Sequence, residues 1–267
     1  MDKKINEWNE SYKRKENFIF YPHDEVVKFI NRFIRKRVGL NSFIDVIYKG
    51  DMYKSGVGIV DSIESNIAIN HGGGANMSSL APLSALDFGC GIGRQSLLLS
   101  EFHIESYGID ISSEAINEAK NLANLFVKNL DSIKMPHFSV YDGEKIPFDD
   151  NFFDFSMSYG VLDSMPFSLA KSLFNEMCRV SKKYIFLSLI GEDSTSLFSN
   201  LSGDFSGEIV VKDSHEFGTI QSFFNENKIH NLIKDSIFYL KWGQRMQHID
   251  LMTNKTYSRY FIVLERR

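Results

Sequence analysis

Three glycines and three aspartates carry the chemical signal of this 267-residue chain. In Leu86-Asp87-Phe88-Gly89-Cys90-Gly91-Ile92-Gly93-Arg94 the glycines recur at every second position, behind a short apolar run and ahead of a helical one. Glycine lets the backbone pass close to a ligand, and the unpaired N–H groups of a helix start face whatever lies there. The G-x-G-x-G spacing differs from the G-x-G-x-x-G of dinucleotide-binding turns, and Asp87 has the wrong charge for a pyrophosphate. Glycines beside that carboxylate suit a cationic or amine-bearing ligand. Further on, the run Ser106 to Asp110 ends in a carboxylate able to accept both hydrogens of a ribose diol. Tyr141-Asp142-Gly143 closes the next strand, where Asp142 is able to accept from the exocyclic amine of adenine.

These residues need elements that hold them at one edge. Ser84 to Phe88 reads as a short buried strand, Gly93 to Glu101 as a helix, Ser106 to Asp110 as a strand, and Ser112 to Lys128 as a helix capped by Ser112 or Ser113. Strands over Phe138 to Tyr141 and Phe153 to Tyr159, a helix from Ser168 to Val180 and an apolar strand from Lys183 to Ile190 continue the alternation. That order predicts a parallel sheet with helices on both faces. A helix is expected over Glu216 to Asn227, then strands over Asp235 to Trp242 and Tyr257 to Glu265, which must pair antiparallel because no crossover separates them. Before the sheet, residues 3–16 read as a polar helix, Asn17 to Pro22 as extended, and Asp24 to Arg37 as an amphipathic helix whose last turn holds Arg35, Lys36 and Arg37. Residues 40–83 hold short β-like runs, Phe43 to Tyr48 and Val57 to Ile67, and the turn-rich Gly72-Gly73-Gly74.

The chain resembles a class I S-adenosylmethionine-dependent methyltransferase over about residues 84–267, with three acids at the ends of three successive strands. The resemblance implies an α/β, Rossmann-like seven-stranded sheet with an antiparallel last strand. It also implies two parts: an N-terminal helical and loop extension, 1–83, capping the active site, and an S-adenosylmethionine-binding domain, 84–267. Carried over, Asp87, Gly89, Cys90, Gly91 and Gly93 wrap the methionine part and ribose, Asp110 holds the ribose hydroxyls, Ile111 packs on the adenine, and Asp142 with Gly143 meets its edge. Tyr141 to Phe148 followed by Asn151-Phe152-Phe153-Asp154 is similar to the ubiquinone/menaquinone-methyltransferase subgroup. Tyr159-Gly160-Val161-Leu162 matches the segment under the methionine that faces the acceptor; family members often carry histidines after that leucine, whereas this chain has Asp163-Ser164-Met165. The implied cofactor is S-adenosyl-L-methionine, leaving as S-adenosyl-L-homocysteine.

Methyl transfer from a sulfonium is an in-line displacement that needs alignment and dryness more than a dedicated catalytic group. For a hydroxyl acceptor a base within reach helps. His215, Asp163 and Tyr159 are the catalytic candidates, with Glu216 and His248 as further bases; Trp8, Tyr12, Phe20 and Tyr21 are candidates for an aromatic lid. No metal site is expected. Asn/Asp-Pro-Pro-Tyr and Pro-Cys motifs are missing, which disfavours N6/N4 and carbon-5 base methylation, and His71-Gly72-Gly73-Gly74 has no G-x-S-x-G partner for a hydrolase. The expected acceptor is the O or N of a small molecule, with a saccharide or nucleotide-sugar in view. The alternatives are an RNA or protein methyltransferase, or a non-catalytic protein that binds the cofactor or its product. A monomer or homodimer fits either.

Composition sets outer limits. A net charge of −4, 43% hydrophobic residues and two cysteines fit a cytoplasmic globular protein without a disulfide framework, and the longest apolar run is far short of a bilayer span. Residues 1–37 carry ten Lys/Arg against six acids, so this segment is +4 and the remainder −8. Such a segment is either a solvated helix face or the surface that meets a phosphate-bearing substrate.

Overall fold

The computed structural model describes residues 2–40, 42–48, 80–127, 133–194, 207–212 and 216–267. His215, the run Val57 to Ile67 and the glycines at 72–74 lie outside the described residues. The chain packs as two compact units, one of Met1–His23 with Leu83–Arg267 and one of Asp24–Pro82.

In the smaller unit, helix α2 (Asp24–Phe29) runs into a π-helical turn (Ile30–Ile34) and then into strand β1 (Arg35–Gly39), which pairs antiparallel with β2 (Ser42–Asp45). The expected helix over Asp24 to Arg37 therefore stops three residues early. Arg35 has extended backbone, and its buried guanidinium donates to Asp45 Oδ1 at 2.5 Å and to the Ala81 carbonyl at 2.6 Å. A buried guanidinium needs its counter-charge, here the half-buried Asp45 carboxylate, and that requirement outweighs the dipole preference.

In the larger unit, helix α1 (Asp2–Lys13) precedes the alternating stretch: β3 (Ser84–Phe88), α3 (Arg94–Glu101), β4 (Glu105–Asp110), α4 (Ser113–Val127), β5 (His137–Val140), β6 (Phe153–Tyr159), α5 (Phe167–Val180) and β7 (Ser181–Ile190). Ser112 caps α4, its Oγ accepting the Ala115 N–H at 3.1 Å. A short ladder of β8 (Glu208–Val210) and β9 (Ile220–Ser222) follows, then α6 (Glu226–Ile233) and the hairpin β10 (Phe238–Ile249) and β11 (Thr256–Arg266). The sheet order is β10-β11-β7-β6-β3-β4-β5, with β11 antiparallel to both neighbours and the five strands from β3 to β7 parallel. Seven strands in this order, with crossover helices, form the class I methyltransferase sheet.

Two element expectations are corrected here. Gly218, with φ at +81°, stops any helix from Glu216, and the segment instead forms β9; α6 starts only after Asn225, whose side chain accepts the Lys228 N–H. β10 starts at Phe238 and runs on past Trp242 to Ile249, because Gln244 to His248 find a full ladder on β11.

β3 pairs with both β4 and β6, so the chain reverses its direction of strand addition there. At such a switch point the crossovers leave on opposite sides and open a crevice at the carboxyl ends of the strands. Asp87, Asp110 and Tyr159 all sit at that edge. Because β11 runs against β7, with Arg259 opposite Ile190, its first residues reach the same edge.

Candidate functional site

A cavity of about 800 Å³ lies at the switch point. Asp87, Gly89, Cys90, Gly91, Asp110, Ile111, Asp142, Gly143 and Tyr159 all line it, whereas Gly93 and Asp163 do not. A Cβ on Gly91 would stand 2.5 Å from the Tyr12 hydroxyl, so only glycine lets α1 settle over this turn. Gly93, with φ at +83°, instead serves packing: a Cβ there would meet the Phe138 ring at 2.6 Å.

Each acid has its own environment. Asp87, 2% exposed, accepts the Ser96 hydroxyl at 2.7 Å, and burial pushes its carboxyl up to about 6, with Ser96 and Arg94 pulling the other way. Asp110 accepts the Gly91 N–H on Oδ2 and the Ser112 N–H on Oδ1, both at 2.9 Å, and burial still raises its pKa. Each of its oxygens keeps a lone pair for a further donor. Asp142 accepts the N–H groups of Glu144 and Lys145, which hold its carboxyl below the ordinary range. Cys90 is buried, and desolvation with Asp87 and Asp110 nearby pushes its thiol well up, which makes it an inert liner.

Beside the acids, at the edge formed by β6 and β11, stands a second wall, in which sequence reasoning named Tyr159 and Asp163 but missed His23 and Arg259. His23 stacks on Tyr159, ring centroids 3.6 Å apart and 7° from parallel, and the Arg259 guanidinium lies 5.2 Å from the Tyr159 ring. Burial, then Arg94 and Arg259, lower the His23 pKa to about 3, so the imidazole is neutral. Arg259 donates to Tyr257 Oη at 2.5 Å, to Ser188 Oγ at 2.7 Å and to Asp163 Oδ2 at 3.1 Å. Asp163 is fully buried and also accepts the Ile190 N–H at 2.8 Å, while its carbonyl accepts from Ser222 and Gln221 on β9. Its carboxylate meets the cavity wall through Arg259 and its carbonyl through Gln221. Burial raises its pKa, against the pull of Arg259.

From the N-terminal segment, Trp8 and Tyr12 line the cavity, but Phe20 and Tyr21 do not and are exposed. Glu216 lines it and His248 does not. The first turn of α3 adds two polar liners. Gln95 is 4% exposed, yet neither its amide oxygen nor its nitrogen has a partner among the described residues, and Arg94 Nη1 is likewise buried and unpartnered. Orphaned polar atoms in a cavity wall are a cost unless a ligand satisfies them. Their signal in the sequence was position alone, directly after the third glycine.

Residues 86–186, the span from the first acid through the fourth parallel strand and into the fifth, match a family model described as a methyltransferase domain. The chain carries a methyltransferase domain on the class I fold. No curated protein matches the chain by sequence. Among solved structures, it is similar to a S-adenosylmethionine-dependent methyltransferase from Methanosarcina mazei at 24% identity, covering 70% of this chain and 93% of that one, with a TM-score of 0.58. A protein from Pyrococcus horikoshii aligns at 20% identity over 77% of this chain and 89% of that one, TM-score 0.56. A magnesium protoporphyrin IX methyltransferase from Synechocystis, crystallised with S-adenosylmethionine, aligns at 18% identity over 78% of this chain and 77% of that one, TM-score 0.50. At these identities the likeness is one of fold.

The residues present fit the methyltransferase cofactor. It carries a diol, an amine and a carboxylate, and the cavity has acids at the ends of β3 and β4, an unpartnered guanidinium atom and an unpartnered amide. Among the described residues no group of three or more His, Cys, Asp or Glu is placed to hold a metal, and no helix is long and apolar enough to cross a membrane.

Proposed function

We propose that this protein transfers the methyl group of S-adenosylmethionine to an oxygen or nitrogen of a small-molecule acceptor, with a saccharide or nucleotide-sugar within the class. The observation that carries this reading is the cavity itself. Its roughly 800 Å³ lies in the upper part of the ~300–1,000 Å³ usual for small-ligand sites, which suits a cofactor together with an acceptor.

In this reading Asp110 holds the ribose hydroxyls, Ile111 and Gly143 flank the adenine, and Asp142 accepts at its edge. Asp87 and Gln95 take the methionine amine, Arg94 takes the carboxylate, and Gly89, Cys90 and Gly91 let the backbone approach. When bound, the cofactor supplies an electrophilic methyl on a sulfonium. Tyr159 forms the floor beside which the acceptor aligns, held in place by His23 on one side and Arg259 on the other. Asp163 acts as a positioning residue through Arg259, and Glu216 is the described carboxylate at the cavity wall that can take the acceptor's proton. His215, the residue before Glu216 in the sequence, shares that role in the proposal. Helix α1 and residues 17–23 cap the site and exclude water, the part of the N-terminal extension to which that role is assigned. A cytoplasmic setting is supported by two cysteines that are both free and buried.

Calorimetry with S-adenosylmethionine and S-adenosylhomocysteine tests cofactor binding, and a labelled-methyl screen over metabolites, nucleotide-sugars, RNA and cell protein tests the acceptor. Heat with both ligands and label in the small-molecule fraction are expected. Label only in RNA or protein replaces the acceptor class, and binding without any labelled product leaves a non-catalytic cofactor-binding protein.

A further inference from the structure

The basic N-terminal segment divides sharply once its cations are placed. Lys13 pairs with Glu10, Arg14 with Glu7 and Glu16, Lys28 with Glu25 and Arg35 with Asp45, which accounts for much of the positive charge as ordinary ion pairs. Lys4 is different. It lines the cavity, is half-buried, and has no hydrogen-bond or ion-pair partner among the described residues. Burial alone lowers its pKa, to about 8; no neighbouring charge contributes. An ammonium held away from water without a counter-charge is a cost to the fold, and such groups in a cleft are where a ligand's charge is expected.

Position tells which ligand. Lys4, Trp8 and Tyr12 are spaced i, i+4, i+8 on α1, so they form one stripe, and all three line the cavity. The Tyr12 end of the stripe sits over Gly91. At 1.5 Å of rise per residue, Lys4 lies about 12 Å further along the axis. Arg94 is at the Tyr12 end: it feels both Tyr12 and Asp87, and its Nη1 is unpartnered. The cofactor has one anionic group, its carboxylate, and the proposed function gives that to Arg94. Ribose and adenine carry no negative charge for Lys4.

We propose that Lys4 is the seat for an oxyanion, a carboxylate or a phosphate, carried by the methyl acceptor, so that the substrates of this enzyme are acidic small molecules. The inference rests on the proposed function for the place of the cofactor.

The test uses the full chain saturated with S-adenosylhomocysteine, titrated calorimetrically with inorganic phosphate and, separately, with acetate. Wild type should bind at least one of them, and which one distinguishes a phosphate-bearing from a carboxylate-bearing acceptor. Lys4→Met should weaken that binding about tenfold or more, the loss of one charge-assisted hydrogen bond, and Lys4→Arg should restore most of it. S-adenosylhomocysteine affinity should stay within about twofold in Lys4→Met but fall about tenfold in Arg94→Met, while 5′-deoxy-5′-methylthioadenosine, which lacks the amino-acid end, should bind both variants as it binds wild type. Two results overturn the proposal: anion binding that is absent or equal in wild type and Lys4→Met, or a loss of S-adenosylhomocysteine in Lys4→Met matching that in Arg94→Met, which would give Lys4 to the cofactor's carboxylate. If S-adenosylhomocysteine fails to bind wild type, the proposed function fails. Phosphate and acetate titrated on the chain alone then still decide whether Lys4 holds an anion.

Discussion

The two walls of the cavity are built in different ways. On the acidic wall each carboxylate is anchored close by in the chain: Asp142 by residues two and three positions on, Asp87 by Ser96 nine away, Asp110 by Ser112 and by Gly91 nineteen away. On the cationic wall, the Arg259 bonds to Ser188 and Asp163 span 71 and 96 positions, and the His23 ring meets Tyr159 from the other end of the unit. The acidic wall follows from where strands end. The cationic wall exists only when β11 inserts beside β7 and the N-terminal segment folds over the edge. In the proposed function it is the wall that meets the acceptor.

The comparison can be broken most severely at the Asp163–Arg259 pair. Asp163→Ala strands a guanidinium whose side chain is only 12% exposed, and should cost about 3–5 kcal/mol in urea unfolding. Asp163→Ala combined with Arg259→Met should recover a good part of that loss, since both buried charges are then gone. A single-variant cost near zero would mean that the cationic wall is held by its aromatic stacking instead.

On the acidic wall the expected effect has the opposite sign. Below about pH 3 Asp87 is protonated in both folded and unfolded chains. As pH rises toward its folded value of about 6, the unfolded chain releases its proton first, so stability falls, by about 2–3 kcal/mol in all. Asp87→Asn should therefore raise the melting temperature above pH 6 and leave it unchanged at about pH 3, at the expense of cofactor affinity. Melting curves in which the variant is destabilised at pH 7 would show that the Ser96 bond outweighs the desolvation of the charge. The smallest effect belongs to Asp110→Ala, which should weaken S-adenosylmethionine and S-adenosylhomocysteine alike by about 1.5–3 kcal/mol, read by calorimetry. An unchanged affinity would remove Asp110 from the ribose.

The legible part of the fold follows the same division. The strands from Ser84 to Ile190 were readable because each is a short apolar run closed by Gly, Asp or a helix cap, signals that act within a few residues. Three places misled. Arg35 to Arg37 looked like the end of a helix and became a strand because Asp45 offers a half-buried partner; Gln244 to His248 lay past the expected end of a strand and became ladder because β11 lies alongside; Glu216 to Asn227 looked helical, yet Ile220 to Ser222 paired with β8. In each case a partner distant in sequence outbid a local preference worth a few tenths of a kcal/mol to about one per residue.

By itself, the sequence determined the parallel sheet, the glycine turn, the acids at the strand ends and hence the class of cofactor. These depend on backbone freedom and on side chains bonded to N–H groups a few positions away, and such interactions are written into local order. The tertiary structure alone decided that Asp163 sits behind the wall against Arg259, that His23 stacks on Tyr159, and that, among the described cations of the basic segment, Lys4 lines the cavity without a partner. Those outcomes depend on which distant chains arrive beside one another and on what charge each finds there, and neither is a property of any short stretch of residues.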